Sequence, residues 1–171
     1  MIVQTDGYEF DFTDAINAFK FDETNHSSPT FHGVTELKAD DIIAELSGAY
    51  LFIEIKEYAD HNIFNEALGA NSQDKKERHD KYKWLKRYLK YKYRDSFLYR
   101  FAEEKVDKPV HFICLLNFDN ALNNKMKKDL SRELPVGKKS PRWKKKLVES
   151  CQVLNLNQWN LQFPKWPASK I

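Results

Sequence analysis

A single α/β domain is the fold class this sequence predicts, from two hydrophobic patterns and the order in which they alternate. Short β-rich runs, YLFIEIKEY and VHFICLLNF, flank a long polar stretch in which apolar residues recur at helical spacing. With 171 residues and 42% hydrophobic side chains, one compact domain over residues 1–171 can bury a full core without staples.

Taken in order, YEFDF reads as a short alternating segment, and Thr13 is a candidate cap for a helix through Ala15, Ile16, Ala18 and Phe19. NHSSPTFHG is a loop closed by Gly33. VTELKADDIIAEL and YLFIEIKEY are β-rich runs separated by Ser47, Gly48 and Ala49, the pattern of an antiparallel hairpin. A polar interval, GANSQDKKERHD, leads into a long helix, DKYKWLKRYLKYKYRDSFLYRF. Its apolar stripe is Tyr82, Leu85, Leu89, Tyr93 and Phe97.

Pro109 opens VHFICLLNF, an apolar run expected of a strand buried on both faces. Asp119 caps a shorter helix carrying Leu122, Met126 and Leu130, which ends at Leu134, Pro135 and Gly137. Ser140 and Pro141 form a cap and first-turn pair for a last, basic helix. CQVLNL is the final strand candidate, and NQWNLQFPKWPASKI has no clear period. No repeat or linker calls for a second domain.

The net charge of +3 hides a division along the chain. Residues 1–70 hold 3 Lys/Arg against 14 Asp/Glu, whereas residues 71–171 hold 25 against 11. Such a dipole suits carboxylates gathered around a metal beside a surface that receives phosphates, or else charge balance between solvated faces. The two cysteines, Cys114 and Cys151, lie in apolar runs without metal-ligand spacing, so a reducing cytoplasm is expected. No export signal is recognisable, and no apolar stretch approaches the roughly 20 residues that span a bilayer, so no membrane partner is expected.

The chemistry concentrates in the hairpin. On a strand, Glu54 and Lys56 project from one face while Ile53 and Ile55 pack on the other. A hairpin can return Asp41, at the start of the preceding strand, beside Glu54. Two carboxylates on apolar strands repel one another unless a cation joins them, and Mg²⁺ or Mn²⁺ suits this oxygen environment, with the Ile55 carbonyl as a third ligand. Asp40 is the rival to Asp41, although a one-residue shift turns it to the opposite face. Glu45 falls on the Asp41 face.

Asp41, then Glu54-Ile55-Lys56 after a short turn, following a helix and followed by a helix and a buried strand, resembles the PD-(D/E)XK nuclease superfamily over roughly residues 10–118. The resemblance implies a restriction-endonuclease-like core, a central mixed β-sheet flanked by α-helices. It implies metal ligation by Asp41 and Glu54, with Lys56 orienting or helping to deprotonate water and stabilising charge on the phosphate. The proline that names the motif is absent, since Ala39 and Asp40 precede Asp41. The family often adds an acid from the first helix, for which Glu9, Asp14, Asp22 and Glu23 compete.

Candidate phosphate contacts are Lys83, Lys86, Arg87 and Lys90 on the long helix, beside Trp84, Tyr88 and Tyr91, and then Lys138, Lys139, Arg142, Lys144, Lys145 and Lys146. Solvated faces with core-edge aromatics are the alternative. The histidines lack ligand spacing, and neither a Gly-rich phosphate loop nor a Gly-x-Ser-x-Gly elbow is present, which argues against P-loop NTPases and the commonest serine hydrolases. The expected function is therefore Mg²⁺- or Mn²⁺-dependent phosphodiester hydrolysis of nucleic acid by a DNA endonuclease, with a homodimer allowed. The alternative is a catalytically inactive nucleic-acid-binding or assembly module of the same fold.

Overall fold

A computed structural model describes residues 1–171. Strands β1 (Ile2–Thr5), β2 (Tyr8–Asp11), β3 (Asn17–Lys20), β4 (Ile42–Glu45) and β5 (Tyr50–Lys56) precede helix α1 (Ser72–Ala102). Then come β6 (Val110–Leu116), α2 (Asn120–Glu133), β7 (Ser150–Leu154), α3 (Leu156–Gln162) and β8 (Ala168–Lys170). The large sheet runs β3-β4-β5-β6-β7 and the small one β1-β2-β8. Strands β3, β4 and β5 form an antiparallel meander, and β6 and β7 add in parallel, so the larger sheet is mixed.

The two sheet faces bury different partners. Phe52, Phe112, Leu85, Leu89, Met126 and Leu130 belong to a core between the sheet, α1 and α2. Phe10, Phe12, Ile53, Ile113 and Trp159 fill a second core on the side of the small sheet and α3. Period-two alternation makes this division, since Phe52 and Ile53 must leave β5 in opposite directions. Covering on both faces is why β5 and β6 read as nearly continuous apolar runs. No helix is long and apolar enough to cross a membrane.

Several expectations need correction. The segment proposed to form a helix from Thr13 is instead β3, paired through Phe19 with Ile43 and through Ala18 with Ala44. A helix that short is marginal alone, whereas pairing with the open edge of β4 satisfies the backbone and sends Phe19 and Ala18 into opposite cores. Only Ile42–Glu45 of VTELKADDIIAEL is strand. Helix α1 begins eight residues before Asp80, because Asn71 caps it by accepting from the Asp74 amide at 2.9 Å.

The basic helix expected from Ser140 does not form, and residues 140–149 run in turns. Like charges one turn apart disfavour a helix there. The backbone finds partners elsewhere, with Val148 bridging Val136 and the Glu149 amide donating to the Val110 carbonyl at 2.8 Å. CQVLNL supplies β7 but not the last strand, since the tail without period folds into α3 and β8. Asn155 and Gln158 close a reciprocal capping box on α3, and Trp159 is buried with its Nε1 donating to the Trp166 carbonyl at 2.7 Å.

Candidate active site

The β4–β5 turn is closed by the Leu46 amide donating to the Ala49 carbonyl at 2.8 Å. The register that follows pairs Ile42 with Ile53, which sets Asp41 across from Glu54. The Asp41 amide donates to the Ile53 carbonyl at 3.0 Å, and its Oδ2 accepts from the Ile55 amide at 2.5 Å. Glu54 shares the parity of Phe52, so it points toward α1 and is fully buried, while Asp41 is 1% exposed. The Lys56 Nζ lies 3.8 Å from Glu54 Oε1 and is about a third exposed.

Into this pair α1 projects a residue that sequence reasoning missed. Lys92 Nζ lies 2.9 Å from Glu54 Oε2 and 3.4 Å from Asp41 Oδ1, and it also donates to the Ala39 carbonyl. One turn on, the Ser96 hydroxyl accepts from the Asp40 amide at 2.7 Å. Asp40 is itself completely buried, and neither of its carboxyl oxygens has a hydrogen-bond partner. Lys92 continues the inward stripe Leu85, Leu89, Lys92, Ser96, Arg100, all of them buried. A lysine standing at an apolar stripe position was the available signal.

Three buried acids thus face one deeply held ammonium. Burial, opposed by Lys92, pushes the carboxyls of Asp40 and Asp41 up to about 7. Burial and the Asp41 charge raise Glu54 well above the carboxylate range. Burial lowers Lys92, but Glu54, Asp41 and Asp40 outweigh it and hold its proton more tightly than usual. The opposite senses are consistent, because one cation cannot neutralise three desolvated carboxylates and the surplus acids take up protons.

Asp22 is the acid from the first segment that meets the site. Its carboxylate, with those of Asp6 and Asp41, offers oxygens that all lie within 4.8 Å of one another. The other three candidates have partners elsewhere: Glu9 accepts from Gln4 Nε2 at 2.6 Å, Asp14 from Trp166 Nε1 at 2.5 Å and Glu23 from the Asn25 amide at 2.8 Å. Asp6 arrives on the tight β1–β2 turn, where Asp6 and Gly7 both take positive φ. The Asp-Gly pair is a two-residue hairpin signature that could have located it. Glu45 sits at the far end of β4 and pairs with Lys108 at 2.7 Å.

The basic candidates form two surfaces. Lys83, Lys86, Arg87 and Lys90 line a hollow with Asp80 and Glu133. Glu133 partly neutralises it, pairing with Lys86 at 2.8 Å and Lys90 at 2.7 Å. Lys138, Lys139, Arg142 and Lys144 are exposed on the turn segment, whereas Lys145 donates to the Val106 carbonyl at 3.0 Å and Lys146 pairs with Glu149 at 2.6 Å. Between them lies a hollow of about 660 Å³, lined by Phe97, Leu98, Trp143 and Leu147 among others and holding none of Asp41, Glu54 and Lys56. Size and chemistry do not coincide here, and only the acid cluster has convergent reactive groups. Both thiols are buried and pushed up, which leaves Cys114 and Cys151 inert.

Comparison of the chain with protein-family models, with curated proteins and with solved structures gives no match.

Proposed function

We propose that this protein is a metal-dependent phosphodiesterase of nucleic acid, a DNA endonuclease with a PD-(D/E)XK-like core. The observation that carries the reading is the hairpin register, which brings Asp41, Glu54 and Lys56 to one end of a buried sheet. The order of hairpin β4-β5, helix α1 and buried strand β6 is what the family resemblance implies, and it supports the reading further. A first helix is lacking, and Asp22, after β3, supplies the acid expected there.

The donor set fits a hard divalent cation. Glu54 Oε1 is buried without a hydrogen bond, Asp41 offers carboxylate oxygens, and Asp22 and Asp6 approach from the side. Asp41, Glu54 and the Ile55 carbonyl would hold Mg²⁺ or Mn²⁺, which supplies Lewis-acid polarisation of phosphate and water. Burial lowers Lys56, but Glu54 and Tyr88 raise it above its ordinary range, so it is an ammonium at neutral pH. It therefore acts by donating hydrogen bonds that orient water and steady charge on the phosphate, not as the base. Water adds to phosphorus as the P–O3′ bond breaks, the attacking water giving up one proton to solvent and the departing O3′ taking one from solvent, which leaves a 5′-phosphate and a 3′-hydroxyl.

Lys92 favours a second reading. An ammonium that already neutralises Asp41 and Glu54 lets the cluster close without a metal, as in an inactive nucleic-acid-binding or assembly module. Incubating supercoiled plasmid, and separately a single-stranded DNA oligomer, with the protein and Mg²⁺ or Mn²⁺ separates the two. Cleavage of either that vanishes in Lys56→Ala and in Glu54→Gln supports the nuclease; no cleavage of either by the wild type under either metal leaves the module.

A further inference from the structure

We propose that Trp84 and Tyr88 form a stacking platform for an unpaired nucleobase, which makes single-stranded nucleic acid the substrate class of the Asp41–Glu54–Lys56 site. This rests on the nuclease reading for its function, though not for its binding.

The two residues are one helical turn apart on α1, and their rings stack with centroids 5.4 Å apart and an interplanar angle of 18°. Trp84 is 53% exposed, so its outer face is open to solvent and adds nothing to either core. An exposed indole face is a match for the π-face of any base. The platform also has a direction. Lys56 Nζ lies 5.3 Å from the Tyr88 ring centroid and Lys92 Nζ 5.8 Å from it, so the Tyr88 ring links Trp84 to the lysines of the acid cluster.

Further cations border it. Exposed Lys38 lies 5.1 Å from the Tyr88 centroid and 5.9 Å from that of Tyr91, which is itself exposed. Lys83 and Arg87 continue the positive charge along α1. A strand whose phosphates follow Lys38 and Lys56 can lay one base on Trp84 while the adjacent phosphodiester sits at Lys56, the exposed rim of the acid cluster. Paired bases in a duplex are already stacked and cannot offer a face to a side chain without flipping. A plain basic surface, by contrast, binds duplex at least as well as single strand, because duplex carries the denser charge.

The test is binding of a fluorescein-labelled 15-mer oligothymidylate and of a 15-base-pair duplex to the full chain in EDTA, so that cleavage plays no part. The expected result is single-strand binding about tenfold tighter than duplex binding at 0.1 M salt. Trp84→Ala should lose about tenfold on the single strand only, within the span of one base–aromatic stack, while Trp84→Phe retains most of it. The salt slope should stay unchanged in both variants, since every cation that meets a phosphate is still in place. Tryptophan emission of the wild type should be quenched by the oligomer, and that quenching should disappear in Trp84→Phe. Equal affinity for both probes, no binding to either, or unaltered single-strand affinity in Trp84→Ala would overturn the platform. Plasmid nicking without single-strand preference refutes the platform alone, and single-strand preference without any metal-dependent cleavage refutes the nuclease alone.

Discussion

Replacing Lys92 by Met keeps the aliphatic stem against α1's neighbours and removes only the charge that sits among the buried acids. At an effective dielectric of about 20, an ammonium 3 Å from a carboxylate gains about 5 kcal/mol, and Lys92 has two such partners. Desolvating the ammonium returns several kcal/mol, which leaves the 3–5 kcal/mol (roughly) that breaking a buried ion pair costs. The loss must depend on pH. At pH 8 the variant has to keep a carboxylate uncompensated or protonate it at a cost; at pH 5 the acids take up protons freely. We expect Lys92→Met to lose about 4 kcal/mol at pH 8 and about half of that at pH 5 in urea denaturation. For a chain of this size the pH 8 loss corresponds to about 10 °C in Tm. A loss under about 1 kcal/mol at pH 8, or one equal at both pH values, would show that Lys92 is not the counter-ion of this cluster.

The wild type should show the same linkage. Folded Asp40 and Asp41 hold protons up to about pH 7, against about 3.9 in the unfolded chain, so the fold binds more protons than the unfolded state between those values. Their contribution to stability is therefore full below pH 4 and is lost as pH rises through 7. Asp40→Asn should flatten the fall between pH 5 and pH 8 by about 2 kcal/mol in urea melts, and an undiminished fall would show that Asp40 is not one of the titrating acids. Substituting Lys144, Lys145 and Lys146 together by Ala should reduce the slope of log affinity against log salt on duplex DNA by about 0.9 for each phosphate that the three lysines neutralise. The protein should remain folded by circular dichroism, and an unchanged slope would show that the three lysines meet no phosphate, Lys145 and Lys146 serving only their contacts with Val106 and Glu149.

The parts of this fold that were legible in the sequence are those where period and burial agree. Both β5 and β6 carry apolar runs that only a doubly covered strand explains, and Asp119 with Leu122, Met126 and Leu130 announces α2 from cap to last turn. Failures came where tertiary pairing overrides local preference. Phe19 and Ala18 suit a helix or a strand equally over so short a span, and the free edge of β4 decides between them. Ser140-Pro141 is a sound helix start, yet the lysines after it have no apolar face to bury, and the sheet captures Val148 and Glu149 instead.

At the site, spacing was enough to bring Asp41 and Glu54 together, because an antiparallel register follows from turn length. Spacing along the hairpin could not reach Lys92 or Asp6, which come from α1 and the small sheet. Lys92 stands amid a helix crowded with lysines, and only its place on the inward stripe distinguishes it from Lys90 or Lys83.

The most direct test of the proposed metal-holding pair, Asp41 and Glu54, is calorimetric titration of Mn²⁺ into the wild-type protein at pH 8, beside Glu54→Gln and Lys56→Ala. The wild type is expected to bind with protons released from the acid cluster, Glu54→Gln to lose binding, and Lys56→Ala to keep it or tighten it slightly, because a neighbouring positive charge is gone. A wild type that takes up no Mn²⁺, or a Glu54→Gln variant that binds it equally well, would contradict the assignment of Asp41 and Glu54 as the metal-holding pair.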